Sequence, residues 1–278
     1  MRKAFVCGYP ISHSRSPLIH RFWLRKYGID GAYDPLSVPP DELHALVSRI
    51  RAGEFAGGNV TLPLKEEAFT EVDRRDEAAD TIGAVNTLWR EGPTLWGGNT
   101  DAYGFAANLD AEAPGWAAGG GTAVVLGAGG ASRAVLHALV ERGFDVSLTN
   151  RTLERAEGLA SHFGPRVHVG PWEERQGLLE HAKLLVNTTS LGMTGKDALE
   201  LDLAALPSFA VVTDIVYVPL ETPLIKAAKA RNDLQVVDGL GMLLHQAVPG
   251  FERWFGLRPE VTPELRALIV EDILRAHP

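Results

Sequence analysis

Apolar positions along the chain follow two rhythms, and each predicts a different element. Short runs of strand-forming residues lie at 3–7, 31–38, 57–60, 84–89 and 95–99, and again at 123–126, 145–149, 167–169, 184–187, 211–215 and 234–237. Between many of them the apolar residues recur every three or four positions, which predicts helices at 16–27, 41–50, from 64 onward, 101–109 and 131–142. Pro17 in a first helical turn, and Pro39 and Pro40 ahead of the second helix, mark helix starts. Two further helical patterns, 240–255 and 263–276, follow the last predicted strand. Strand and helix therefore alternate twice, with a join at 110–121 where AEAPGWAAGGG interrupts the pattern.

The predicted fold is α/β with two domains. Residues 1–110 form an N-terminal α/β substrate domain, and residues 111–239 form a Rossmann-type, doubly wound parallel-sheet domain. The helices from about 240 to 278 have no strand left to cover, so they are expected to return to the first domain and complete it.

The second domain opens on its most informative stretch. The strand at 123–126 runs into Gly127, Gly129 and Gly130, and the helix follows at once. A sharp turn of bare backbone at a helix N-terminus is suited to a pyrophosphate, because free N–H groups and the helix dipole both face its charge. The third glycine of the usual GxGxxG pattern is replaced by Ser132. About 20 residues on, where NAD enzymes place a carboxylate on the ribose, this chain has Asn150, Arg151 and Thr152. Arginine offers a planar fork of donors to a phosphate that a carboxylate would repel, so the implied cofactor is NADP. The alternative is a surface turn of small residues with a solvated Arg151.

Composition narrows the setting. Apolar residues make up 45% and charged ones 22%, as in ordinary globular proteins, and the formal charge of -8 argues against a nucleic-acid partner. A single cysteine, Cys7, excludes an intrachain disulfide and fits a reducing compartment. The opening MRKAFVCGYP is too short in apolar residues for a secretory signal, and no run approaches membrane-spanning length. The nine histidines lack metal-ligand spacing, so no metal is expected. The expectation is a cytoplasmic enzyme, monomeric or homodimeric, acting on a small molecule without nucleic-acid or membrane partners.

Short polar side chains gather where elements of the first domain end. Ser12 to Ser16 follow the first strand, and hydroxyls beside the N–H groups of a helix start would receive a small carboxylate; equally, Ser14 or Ser16 could be an N-cap. Lys65 falls in a first helical turn, where the dipole disfavours a cation, so it has either a function or a solvated place beside Glu66 and Glu67. Asn86 lies in GAVNT and Asp101 in GGNTDAYGF, where Asp101 reads as an N-cap and a carboxylate near Lys65 would favour its ammonium form. In the second domain the loops at 187–191, 214–219 and 238–242 follow strands at the carboxyl edge, where open sheets bind ligands.

These blocks together resemble the shikimate dehydrogenase family: HSRSP at 13–17, NVTLPLKE at 59–66, GAVNT at 83–87, GGNTDAYGF at 97–105, GAGGASRA at 127–134, NRT at 150–152, NTTSLGM at 187–193, DIVYVPLETPL at 214–224 and DGLGMLLHQA at 238–247. The resemblance implies NADP-linked interconversion of 3-dehydroshikimate and shikimate, a step towards aromatic amino acids. By position it makes Lys65 and Asp101 the catalytic pair. It gives Ser14 and Ser16 to the substrate carboxylate, with Thr61, Asn86, Tyr217 and Gln246 completing the substrate site. It gives Gly127, Ala128, Gly129, Gly130 and Ala131 to the pyrophosphate, and Asn150, Arg151, Thr152 and Arg155 to the 2′-phosphate. Thr188, Ile215, Gly239 and Glu77 would lie by the cofactor. Ala102 and Ser190 depart from the family's glycine and proline at those places, which implies local backbone adjustment. Two other readings stand beside this one: a quinate/shikimate dehydrogenase of broader range, which an acidic residue in place of Arg151 would favour, and a non-catalytic metabolite sensor, which loss of Lys65 or Asp101 would favour.

Overall fold

The computed structural model describes residues 1–276. In the N-terminal region the strands are β1 (Arg2–Gly8), β2 (Gly31–Ser37), β3 (Gly57–Val60), β4 (Arg74–Arg75), β5 (Thr87–Glu91) and β6 (Thr94–Gly98). The helices among them are α1 (Ser16–Lys26), α2 (Leu43–Arg51), α3 (Lys65–Glu71) and α4 (Glu77–Ile82), and α5 (Asp101–Glu112) follows. The strands form one sheet in the order β2-β1-β3-β5-β6-β4. Its β2, β1 and β3 are parallel, β5 and β6 run antiparallel to their neighbours, and β4 pairs parallel with β6.

Both faces of this sheet are covered, so β1 is buried without alternation from Ala4 to Gly8. Leu43, Leu46, Val47 and Ile50 of α2 belong to one core with Phe5, Val60 and Leu88. A second, aromatic cluster stacks His20 on Tyr33 with ring centroids 4.0 Å apart and adds Trp23, Phe251 and Trp254. Two of those rings belong to α9 (Leu240–Phe255), and the chain ends in α10 (Pro263–Ala276). Residues Leu244–Asp272 thus belong to the same compact unit as Met1–Tyr103. The last two positions of the expected C-terminal span lie outside the described residues.

The remaining unit, chiefly Gly104–Leu243, holds β7 (Gly121–Leu126), β8 (Phe144–Asn150), β9 (Val167–Pro171), β10 (Leu184–Asn187), β11 (Val211–Asp214) and β12 (Gln235–Val237). Its helices include α6 (Gly130–Glu141), α7 (Leu153–Phe163) and α8 (Pro223–Lys229). All pairings are parallel, in the order β12-β11-β10-β7-β8-β9. The chain order therefore reverses between β7 and β10, the switch point of a doubly wound Rossmann sheet. Two crossovers are not α-helical. The link from β9 to β10 uses 3-10 turns, and the link from β10 to β11 is irregular, with buried Leu199, Leu203 and Leu206 covering the sheet in a helix's place.

Three local expectations are corrected. The strand β4 and helix α4 were not foreseen; Asp76 caps α4, accepting from the Ala79 N–H at 2.8 Å. Neither Ser14 nor Ser16 caps α1, since Arg15 is its N-cap residue without a side-chain bond. Asp101 is not an N-cap either: it is the first residue of α5, and its carboxylate is committed elsewhere.

Candidate functional site

In the first unit the loops after β1 and β3 lie side by side. The Thr61 N–H donates to the Cys7 carbonyl at 2.9 Å, and the Tyr9 N–H donates to the Leu62 carbonyl at 3.1 Å. Ser14 and Ser16 leave the first of these loops at the start of α1. The Ser16 N–H reaches the Ser14 Oγ only at 3.4 Å, a long bond that a ligand oxygen can replace. Ser16 is buried and Ser14 half-buried.

Lys65 opens α3, where Glu66 and Glu67 suit the positive end of the helix and Lys65 does not. Its side chain is turned to Asp101, with Nζ donating to Oδ2 at 2.6 Å. The other oxygen of Asp101, Oδ1, accepts from Asn86 Nδ2 at 2.8 Å. The Asn86 Oδ1 in turn accepts from the Thr100 N–H at 2.9 Å and from the Thr87 hydroxyl at 2.8 Å. Asn86 is buried, whereas the Lys65 and Asp101 side chains keep 25% and 18% exposure. The ammonium is therefore oriented by a chain of bonds from behind and still open to a ligand. That is the arrangement of a general acid: a proton donor with a fixed direction beside a carboxylate that also can accept from a hydroxyl.

In the same unit, Tyr33 donates to Asn59 Oδ1 at 2.6 Å, and burial holds the His20 imidazole down to about 3. His20 is consequently neutral packing. Burial also pushes the Cys7 thiol up to about 12, which makes it unreactive. Gln246 is buried in α9, and Glu77 is exposed at the start of α4.

In the second unit the glycine turn, the end of β8 and the loop after β10 enclose a cavity of about 250 Å³. Gly127 has φ +107°, and a Cβ there would stand 2.8 Å from the Thr188 Oγ1 and 3.1 Å from the Thr189 nitrogen, so only glycine fits. A Cβ on Gly129 or Gly130 would meet only open space, which is the room a pyrophosphate needs. Ser132, the departure from the third glycine, ties the turn to β10, because its Oγ accepts from the Gly129 N–H at 3.0 Å and lies 2.7 Å from the Thr188 hydroxyl. Asn150 Oδ1 accepts from the Ala128 N–H at 3.2 Å, while its Nδ2 donates to the Thr152 carbonyl at 2.8 Å.

Arg151 and Arg155 line this cavity, are exposed, and make no ion pair among the described residues; no carboxylate lines it with them. The donor set fits a phosphorylated adenosine: bare N–H groups for the pyrophosphate and two uncommitted guanidinium groups for a further phosphate. Trp172, just after β9, also lines the cavity and was not among the expected residues. Nothing in the sequence signals it, because only the sheet pairing of Pro171 with Asn150 brings the end of its strand beside the site. Ala131 and Thr152 flank the cavity's lining residues in the chain.

Gly239 and Ile215 meet beside that edge, since a Cβ on Gly239 would come within 2.6 Å of the Asp214 and Ile215 carbonyl oxygens. Asp214 anchors its surroundings by accepting from Asn187 Nδ2 at 3.0 Å, the Val216 N–H at 3.0 Å and the Thr222 hydroxyl at 2.7 Å. Burial pushes this carboxyl up to about 6 against the pull of those three donors. Tyr217 follows, half-buried, in the loop that Asp214 holds. No group of three or more His, Cys, Asp or Glu suited to a metal ion occurs among the described residues, and no described helix is long and apolar enough to cross a membrane.

Family models match three parts of the chain: the shikimate dehydrogenase substrate binding domain at residues 6–88, shikimate / quinate 5-dehydrogenase at 116–194, and the shikimate 5'-dehydrogenase C-terminal domain at 239–268. The chain is 60% identical over 274 residues to the shikimate dehydrogenase (NADP(+)) of Mesorhizobium japonicum, covering 98% of this chain and 97% of that one. It is 59% identical to the protein of the same name from Brucella abortus, covering 99% and 96%. Among solved structures it is similar to the Thermus thermophilus shikimate 5-dehydrogenase in complex with NADP(H) and shikimate, at 39% identity, a TM-score of 0.85, and coverage of 99% and 100%. With this identity extending over nearly its whole length, the chain belongs to the shikimate dehydrogenase family.

Proposed function

We propose that this protein is an NADP-dependent oxidoreductase that reversibly reduces 3-dehydroshikimate to shikimate, a step in the formation of aromatic amino acids. The observation that carries the reading is the bonded row Lys65–Asp101–Asn86, with the ammonium still accessible.

Bound NADPH supplies the hydride that reduces the ring ketone. As negative charge grows on the ketone oxygen, Lys65 donates a hydrogen bond and then its proton, so hydride and proton together make the alcohol. Asp101 orients the ammonium and accepts from a neighbouring substrate hydroxyl, and Asn86 holds Asp101 in place. Ser14 and Ser16 bind the substrate carboxylate, with Thr61, Asn86, Tyr217 and Gln246 as the remaining substrate contacts. The Gly127–Ala131 stretch holds the pyrophosphate, and Asn150, Arg151, Thr152 and Arg155 hold the 2′-phosphate. Thr188, Ile215, Gly239 and Glu77 lie against the rest of the cofactor. In this reading residues 1–110 with the C-terminal helices make the substrate domain and residues 111–239 the NADP domain. The enzyme works in the cytoplasm, as a monomer or homodimer, where a buried Cys7 stays a thiol.

Initial rates with shikimate and quinate, each with NADP+ and NAD+, test the assignment. Shikimate with NADP+ is expected to give the highest kcat/KM of the four. A preference for quinate or for NAD+ would replace this reading with the broader dehydrogenase, and no turnover in any pairing would favour a sensor.

A further inference from the structure

The first unit has another cavity at the opposite end of its strands. Its volume is about 390 Å³, within the range of small-molecule pockets, and Arg2, Lys3, Arg90 and Arg253 line it beside Phe55 and Trp254. Arg2 and Lys3 begin β1, whose seven residues carry the chain about 20 Å towards the loop of Ser14. The cavity is therefore separate from the site of Lys65 and Asp101.

Four cations around one cavity stand out in a chain of net charge -8. Carboxylates balance Lys3 and Arg253 only in part, through the nearby Glu54 and Asp76, and leave Arg2 and Arg90 unmatched. Glu54 is the one acidic residue among the described residues lining the cavity, and both its oxygens are taken by Arg49, at 2.7 and 2.6 Å. Arg253 lies over the Trp89 ring at 3.7 Å and reaches Glu91 only at 4.0 Å. Arg2 donates to the Trp254 carbonyl at 3.4 Å and Arg90 to the Gly92 carbonyl at 3.1 Å, so among the described residues neither has an anionic partner. The Nε of Arg90 is buried without any hydrogen-bond partner, so the protein itself leaves this guanidinium incompletely satisfied. Like charges held together at the rim of a cavity repel one another until an anion joins them.

We propose that this cavity binds a small polyanion, a metabolite bearing phosphoryl or carboxylate groups, independently of the catalytic site. The guanidinium groups supply paired donors to its oxygens, and the Phe55 and Trp254 walls accept an apolar portion between the charges.

Calorimetric titration of inorganic pyrophosphate into the protein saturated with NADP+ tests this, because the nucleotide keeps Arg151 and Arg155 occupied. Tricarballylate in a second titration separates carboxylate from phosphoryl recognition, and chloride at equal ionic strength accounts for screening. Saturable binding of one or both anions, one per chain, is expected. It should weaken about tenfold or more in Arg90→Gln and in Arg2→Gln, and stay unchanged in Lys65→Ala. Lys3→Gln, at an exposed position, serves if Arg90→Gln fails to fold. Absence of saturable binding by either anion, or equal affinity in every cavity variant that folds, would overturn the proposal.

Discussion

Around Lys65 the polar side chains are bonded to one another, whereas around Arg151 the charged ones are left open. Lys65, Asp101, Asn86, Thr87 and Thr100 form one continuous set of short bonds. Arg151 and Arg155 are exposed, and no carboxylate lines the cavity beside them. The contrast matches two roles. A group that must act on charge developing in a transition state gains from being held in place in advance, because reorganisation then costs nothing at the moment of reaction. A group that must capture a phosphate gains from having no competing carboxylate.

The sharpest way to break this comparison is to remove the ammonium. Lys65→Ala is expected to lower kcat by roughly 10² or more with a smaller change in the KM for shikimate, measured by initial rates on protein shown to be folded by circular dichroism. Equal turnover would remove Lys65 from the chemistry. Next in size is the open cation. Arg151→Ala is expected to weaken NADP+ binding by about 1.5 to 3 kcal/mol while leaving NAD+ binding nearly unchanged, read by titrating each cofactor. The same loss for both would mean that Arg151 does not touch the 2′-phosphate.

The buried titratable groups, one in each unit, act on stability and not on turnover, and they have opposite signs. His20 is held down to about 3, so its contribution to stability is present above its unfolded value near 6.5 and is lost as pH falls through that window. Asp214 is pushed up to about 6, so its contribution is fully present below about 4 and is lost as pH rises through 6. Urea unfolding at steps from pH 7 to pH 4 should therefore show His20→Phe losing less stability than the parent on acidification and Asp214→Asn losing more. Each difference should have a slope of up to about 1.4 kcal/mol per pH unit. Parallel curves for parent and variants would contradict both assignments.

Much of the architecture was legible because burial imposes a rhythm. The strands β3 and β10 and the helices α9 and α10 have the bounds that their apolar patterns predict, and the second sheet is doubly wound and parallel as expected. What escaped was short or irregular. The two residues of β4 are too few for any period, and α4 has only six. The β10 to β11 link covers its sheet with scattered leucines rather than a helical stripe, so no pattern announced it. The polar residues followed a different logic. From its neighbours alone Asp101 reads as the cap of its own helix, and only the family resemblance pairs it with Lys65; its oxygens go to Lys65 and Asn86, partners that lie 36 and 15 positions away in the chain. Local propensity cannot foresee a partner that only tertiary folding delivers. Lys65 stands out in the sequence because a cation at the positive end of a helix is misplaced unless something else claims it, and in the structure Asp101 accepts from it. Trp172 shows the converse, since nothing in its immediate neighbours signals that its strand ends beside Asn150.

The division of labour is tested most directly by a complete initial-rate analysis of Lys65→Ala and Arg151→Ala side by side, at varied shikimate and varied NADP+. The account predicts that Lys65→Ala loses kcat and keeps the parent KM for NADP+, while Arg151→Ala raises the KM for NADP+ and recovers the parent kcat at saturation. Loss of the same kinetic parameter in both variants would contradict it.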